Sequence, residues 1–260
     1  MSARAQWARA EAARTQGRIE DALAGYRELL GAPEMAPYAH ARLSELAQAA
    51  GDLRRGTAHV LAIDTGRLRE PSLLALTARQ CLALGEAQAG LAAVSALLDA
   101  PSAPAALLAE TAKLLSDHME PNAALALLAR AREAGLRESA GSAYLDGLNR
   151  TYVGALDAAR ASLERALALD ADFAPAYWSL AKLAIAEGRG MRVDALRRRV
   201  AAMPDDHPDA SLLLYSLFHE LDAGDDRDAA WAALERAMRA RRRQVRFSDA
   251  QDDALFARLA

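Results

Sequence analysis

Few residues in this 260-residue chain could do covalent chemistry, and none has the neighbours that such chemistry needs. The single cysteine, Cys81, has no second thiol for a disulfide or a metal cluster. A thiolate nucleophile needs an electropositive, accessible setting, whereas Cys81 falls at a packed helical position, so an inert buried thiol is expected. The five histidines (His40, His59, His118, His207, His219) share no metal-ligand spacing and are read as surface or helix-packing residues. Neither a Gly-x-x-x-x-Gly-Lys-Ser/Thr loop nor a Pro-x-Ser-Gly-Thr variant occurs, so the backbone cradle that holds cofactor phosphates is missing. No catalytic residue, no cofactor and no metal are expected from these residues.

Two arginine runs, Arg197–Arg199 and Arg241–Arg243, could contact phosphate or another anion. Acidic pairs lie close by in sequence, Asp205-Asp206 and Asp252-Asp253, so locally neutralised, solvated helix faces are the preferred reading. The formal net charge of −3 excludes the strongly basic balance of a nucleic-acid binder. Only Lys113 and Lys182 are lysines among 32 basic residues, which fits the codon usage of a GC-rich bacterial genome. The N-terminal segment lacks the continuous apolar stretch of a signal peptide, and no run approaches the ~18 apolar residues of a membrane span. A cytoplasmic protein without a membrane partner is the simple expectation.

The elements that would position any binding residues follow from composition and period. The chain is 52% hydrophobic but only 5% aromatic, and alanine and leucine dominate, which favours helix. Gly17, Gly51 and Gly85 are 34 residues apart; Met119 occupies the next such position, and Gly154, Gly188 and Gly224 continue at 35, 34 and 36. Each position separates two alanine- and leucine-rich segments, so the pattern is helix, turn, helix. Five residues after the turn stands a small residue (Ala22, Gly56, Gly90, Ala124, Ala159), and four further a larger one (Tyr26, Val60, Val94, Leu128, Leu163). Three beyond come Leu29, Ile63, Leu97, Ala131 and Ala166, which completes one buried helical face.

These spacings resemble the tetratricopeptide repeat, whose period is 34 residues. The run Gly154-Ala155-Leu156-Asp157-Ala158-Ala159, with Gly147 before it and Leu163 after, is the best copy; the third and fourth units are degenerate. The resemblance implies an all-α solenoid, a right-handed superhelix of about seven helix pairs, over residues 1–245, with 246–260 a tail or linker. Such units bury their apolar faces only against one another. The weakest joint is expected at Gly188 to Pro208, where Pro204 and Pro208 interrupt the pattern. Trp7 and Trp231 are expected to be packing residues near the two ends.

The C-terminal third carries a narrower resemblance. Leu217-Phe218-His219-Glu220-Leu221-Asp222 is followed by Ala230-Trp231, the arginines 241–243 and Asp252-Asp253-Ala254-Leu255-Phe256. This order resembles a bacterial family in which tetratricopeptide repeats precede a sulfotransferase domain, although His219 stands where a lysine is usual. That resemblance implies a catalytic half, dependent on phosphoadenosine phosphosulfate, beginning shortly after Phe256, with this chain its substrate-recruiting region.

In tetratricopeptide arrays the first helix of each unit lines the inner surface, where partners lie. By the repeat phase, Arg42, Glu45, Arg79, Glu110, Lys113, Tyr144, Trp178, Lys182 and Tyr215 should face that groove. Cations with rings suit an extended protein or peptide segment that is acidic or contains aromatics. The other reading is that these are ordinary solvated side chains, with some aromatics packed between helices. Arg42 and Arg79 could imitate part of a clamp for a chaperone's terminal carboxylate, but the lysine and asparagine pattern of such a clamp is absent. The function expected is non-catalytic binding of a protein or peptide in the groove. A purely structural self-association through the array's ends is a third reading, and the oligomeric state is left open.

Overall fold

In the computed structural model, residues 2–187, 192–204, 206–245, 248, 250, 253–254 and 256–257 are described. Among them are fourteen α-helices and no strand. In chain order they are α1 (Ala3–Thr15), α2 (Ile19–Leu29), α3 (Ala36–Ala49), α4 (Leu53–Leu61), α5 (Pro71–Ala83), α6 (Ala87–Leu98), α7 (Ala105–Asp117) and α8 (Pro121–Glu133). The remainder are α9 (Ala140–Tyr152), α10 (Leu156–Leu169), α11 (Ala174–Glu187), α12 (Val193–Ala202), α13 (Ala210–Ala223) and α14 (Arg227–Gln244). Odd- and even-numbered helices pack as successive pairs, as the repeat predicts, except that α11 and α12 each pack on α13 rather than chiefly on one another. None is long and apolar enough to cross a membrane.

The turn inside each pair is built by one device. The first helix ends with a residue in the left-handed region, and the next residue's N–H reaches back to a carbonyl of the last turn. Gly17, Gly51, Gly85 and Gly154 have φ of 74°, 78°, 80° and 80°. The backbone N–H of Arg18 donates to the Ala13 carbonyl at 2.9 Å, and that of Glu120 to the Leu115 carbonyl at 2.9 Å. Where the glycine register lapses, Met119 adopts the same conformation with φ 61°, although its side chain makes this costly. Gly188 lies outside the described residues. The last pair corrects the sequence reading: Gly224 has φ −90°, and Asp225 is the left-handed residue at φ 59°. The N–H of Asp226 then donates to the Leu221 carbonyl at 3.0 Å. Aspartate tolerates this region better than most residues, so the adjacent glycine was a decoy.

The small-then-large face of the second helices is buried as expected. Ala22, Ala124 and Ala159 are fully buried, as are Tyr26, Leu128 and Leu163. Close approach is the reason for the small residues. A Cβ on Gly147 of α9 would lie 2.7 Å from Leu163 Cγ and 3.0 Å from the Ala159 carbonyl oxygen. Cys81 is buried in α5, and burial together with Glu86 pushes its thiol up to about 11. Around the two prolines, α12 ends as Met203 turns extended before Pro204.

Packing divides the chain into two compact units, Met1–Arg137 and Glu138–Ala260. Unit 1 holds the first four helix pairs. Its N-terminal core joins Ala10, Tyr26, Leu29 and Leu43, with Trp7 half-buried against it. Trp7 stacks at a tilt on Tyr26 (centroids 5.4 Å) and edge-on to Tyr38 (5.9 Å), so it is a packing residue as expected. Unit 2 holds the last three pairs, and its largest core joins Leu196 and Val200 of α12 to α13 and to the alanines of α14.

Candidate functional site

The first helices carry the candidate residues, and counting back from each left-handed residue, and from Gly188 by its place in the sequence repeat, gives them a common register. Six positions back stand Glu11, Glu45, Arg79, Lys113, Lys182 and His219, with Leu148 the apolar exception. Ten positions back stand Trp7, Tyr144, Trp178 and Tyr215, but Ala41, Ala75 and Ala109 in the three pairs between. One helical face thus presents a polar row beside a row that is either a ring or an alanine.

In unit 1 the structure brings Arg42, Glu45 and Arg79 together around one open pocket of about 450 Å³ between α1, α3 and α5. Arg14 and Gln80 join them there, and neither was foreseen. The pocket's charge is ordered by Glu11, also unforeseen. Its carboxylate accepts from Tyr26 Oη at 2.5 Å, Arg42 Nε at 2.9 Å and Arg14 at 3.1 Å. Burial pushes the Glu11 carboxyl up, but the hydrogen bonds from Tyr26 and Arg14 and the charge of Arg42 outweigh it, and the net shift is down. Burial, then the bond to Glu11, pushes the Tyr26 phenol up. Arg42 also donates to Glu45 at 2.6 Å. Burial opposes the Arg42 charge, and the two carboxylates more than restore it.

Among the described residues, three polar groups on the residues lining this pocket have no bonding partner. Arg79 is exposed and forms no ion pair among the described residues. Arg14 Nε and Gln80 Oε1 are buried without a hydrogen bond, while Gln80 Nε2 donates to the Ala41 carbonyl at 2.9 Å. The two buried atoms lie away from the open surface, so the exposed Arg79 guanidinium is the group that suits an anion-bearing guest. Glu110 and Lys113 do not join this pocket. Both are exposed on α7, and Lys113 is engaged by Asp117 at 2.7 Å, one turn along.

In unit 2, Trp178, Lys182 and Tyr215 come together, and His219 completes the group. Trp178 and Tyr215, in the same register on α11 and α13, meet edge-on with centroids 6.3 Å apart. The Lys182 ammonium sits 5.7 Å from the Trp178 ring centroid, and His219 packs at 5.2 Å on the other partner helix. Burial holds the His219 imidazole below its usual range; Lys182 adds to this and Asp222 opposes it. Tyr144 stays apart: it tilts against Phe173 at 5.4 Å and packs on the cluster of Leu163, Leu180 and Leu183.

The residue that follows His219 in α13 is a buried carboxylate. Glu220 is fully buried, accepts the Arg192 backbone N–H at 3.0 Å and lies 3.7 Å from the Arg192 guanidinium, which also donates to Glu164 at 2.6 Å. Leu217 and Leu221 are buried beside it. The Leu217–Asp222 motif therefore packs α13 into unit 2.

Other residues singled out in the sequence have simpler places. His40 and His59, far apart in sequence, meet between α3 and α4 with Nδ1 atoms 3.1 Å apart, and among the described residues no three potential ligands group for a metal. In the first arginine run, Arg197 pairs with Asp226 at 3.6 Å and Arg199 with Asp172 at 3.3 Å. Asp205 and Asp252 lie outside the described residues, as does most of the tail 246–260. Trp231 corrects the expectation of a packed ring, being 63% exposed.

No family model and no curated protein matches the chain. Among solved structures it is similar to MamA, at 20% identity and a TM-score of 0.51, over 64% of this chain and 95% of that one. It is also similar to a tetratricopeptide-repeat protein from Parabacteroides merdae, at 13% identity and a TM-score of 0.54, over 92% and 93% of the two chains. Fourteen helices in stacked pairs and these likenesses make the fold a tetratricopeptide-type α-solenoid.

Proposed function

We propose that the chain is a non-catalytic interaction scaffold whose first helices bind an extended protein or peptide segment, acidic and bearing aromatic side chains. The observation that supports this reading is the open pocket lined by Arg14, Arg42, Gln80 and Arg79, where the Arg79 guanidinium is exposed and forms no ion pair among the described residues. An acidic peptide can meet that guanidinium with a carboxylate. The ring cluster of Trp178 and Tyr215 offers apolar area that costs little to order, since the helices are already packed. A repeat scaffold for protein interaction is also what the structural likenesses support in general. No observation favours the sulfotransferase-associated reading over this one, because its best motif is occupied in packing α13.

The test is an array of extended peptides, acidic or basic, with and without aromatics, probed with the whole chain. Acidic peptides with a ring should bind, and Arg79→Glu should weaken them by roughly tenfold or more, as loss of a charge-assisted contact does. Binding indifferent both to Arg79→Glu and to Trp178→Ala would remove the reading.

A further inference from the structure

The pocket between α1, α3 and α5 differs from its counterparts in charge. Three other open pockets, of about 440 to 600 Å³, hold equal numbers of acidic and basic residues: one sets Arg69 against Asp99, another Arg198 and Arg199 against Asp172 and Asp209, and the third two arginines against two carboxylates. In the pocket of unit 1, Arg14, Arg42 and Arg79 line the space with a single acid, Glu45, and Glu11 pairs with the first two. Three cations against two carboxylates leave one positive charge. The pairing locates it. Glu11 holds Arg14 and Arg42, Glu45 holds Arg42 as well, and Arg79 is exposed with no ion pair among the described residues. Much of the remaining lining is aliphatic. Leu46 of α3 and Leu76 of α5 are half-buried, and Ala49 and Ala83 are exposed in the same lining.

From this we infer that the pocket takes one carboxylate together with one aliphatic side chain. The inference rests on the peptide-binding reading and names what unit 1 selects: an isolated Asp or Glu beside a Leu, Ile, Val or Met, and not a run of acids or a phosphorylated residue. One carboxylate on the Arg79 guanidinium cancels the surplus charge through a charge-assisted contact. A second carboxylate, or a phosphate with its charge of about −1.5 to −2, meets Glu45 and Glu11 with no free cation to offset them. The aliphatic chain covers the open parts of Leu46 and Leu76 and releases their water. A volume of about 450 Å³ with apolar walls and few placed polar groups is ordinary for a ligand site. The pocket is open, so an extended segment can run across it, and a side chain rather than the chain's end supplies the carboxylate. Alternate side chains share one side of an extended segment, so the acid and the aliphatic residue stand either side of one intervening residue.

The experiment titrates the whole chain into dye-labelled peptides with amidated C-termini and a Gly-Ser background, the parent carrying Leu-Ser-Glu, and reads Kd by fluorescence anisotropy. Exchanging the leucine for serine, or the glutamate for glutamine, should each weaken binding at least about fivefold, the scale of one partly buried side chain or one charged contact. An added glutamate, or phosphoserine in place of glutamate, should gain less than about twofold for want of a second free cation. A glutamine peptide with a free C-terminus should stay as weak as its amidated form. In the chain, Arg79→Glu should erase the preference for glutamate over glutamine. Glu45→Gln frees a second positive charge, so the peptide with the added glutamate should then outbind the parent by about fivefold. Peptides that bind through Arg79 yet ignore the leucine, gain more than that from added acid or phosphate on the unaltered chain, or accept a free C-terminus in place of glutamate would overturn the inference and leave the peptide-binding reading intact. A parent peptide that does not bind overturns the inference alone if acidic ring-bearing peptides still bind, and both readings if they do not.

Discussion

The two units use one helical register for opposite chemistry. In unit 1 the ten-back position is alanine in α3, α5 and α7, and the surface beside it is an ionic network with Arg79 unspent. In unit 2 the same position is Tyr144, Trp178 and Tyr215, and the six-back cation Lys182 lies over a ring instead of against a carboxylate. The carboxylates follow suit. Glu11 stands near the surface with its side chain 24% exposed and bonded to three donors, whereas Glu220 is fully buried against Arg192. A repeat therefore conserves the packed face, where the second helix must fit, and leaves the first helix's outer rows free to vary. Affinity on unit 1 should be electrostatic and on unit 2 apolar.

The largest effects should come from the two carboxylates, and they should differ. Glu220→Ala leaves the Arg192 backbone N–H and guanidinium without their buried acceptor, so a loss of roughly 3–5 kcal/mol is expected for unit 2. Glu11→Ala strands the hydroxyl of the buried Tyr26 but leaves the part-exposed Arg14 and Arg42 able to turn toward water, and a loss of about 2 kcal/mol is expected for unit 1. Denaturant unfolding of each variant measures both. Equal losses would erase the distinction between a buried and a rim charge.

Next come the binding surfaces. Arg79→Glu should weaken an acidic peptide by about tenfold at low salt and by much less at ~1 M salt, where the screening length falls to about 3 Å. Trp178→Ala should weaken a ring-bearing peptide by a similar factor at either ionic strength, because dispersion and burial are not screened. Titrations of the two variants at both salt concentrations decide it. If Trp178→Ala proves as salt-sensitive as Arg79→Glu, then Lys182 rather than the ring carries the second surface.

How much of this was legible in the sequence depends on which part of the repeat is asked about. The buried positions Ala22, Tyr26, Ala159 and Leu163 were readable because packing demands a size at each place. The last turn misled by one residue, since Gly224 looks the part while Asp225 does the work. That slip hid His219 from the row that holds Lys182 and Arg79. Glu11 and Arg14 were missed for another reason: their importance comes from Arg42 and Tyr26, 31 and 15 residues beyond Glu11, and no local pattern announces such a meeting. Trp231 follows the buried Ala230 and so falls about 100° round the helix, which turns a supposed packing residue outward. Lys113 shares the six-back position, but it and Glu110 lie on a helix that the unit 1 pocket does not reach.

A smaller effect tests the turns. Met119 holds a left-handed conformation that glycine adopts freely at the equivalent places, and its side chain is 62% exposed, so little packing is lost on removal. Relief of roughly 1–2 kcal/mol of strain is partly offset by glycine's greater freedom in the unfolded chain. Met119→Gly should therefore stabilise unit 1 by about 0.5–1 kcal/mol, read as a higher denaturation midpoint. A fall in the midpoint would mean that the methionine side chain contributes contacts its exposure conceals.

The smallest expected difference separates the units by pH. Burial lowers the affinity of His40 for a proton and His59 adds repulsion; burial, Arg27 and Arg55 do the same to His59. In unit 2 burial lowers His219, but Asp222 pulls the other way. A histidine whose folded pKa is depressed contributes nothing unfavourable above its unfolded value of about 6.5. Below that value the unfolded chain takes up protons that the fold resists, so stability falls as pH drops through the folded values. Carboxylates titrate lower, which leaves the window between about pH 7.5 and 5.5 to the histidines. Thermal midpoints across that window should fall toward acid, and His40→Gln/His59→Gln should flatten the slope more than His219→Gln. The reverse order would place the stronger opposition to protonation under the rings of unit 2, where a single imidazole has a carboxylate to relieve it.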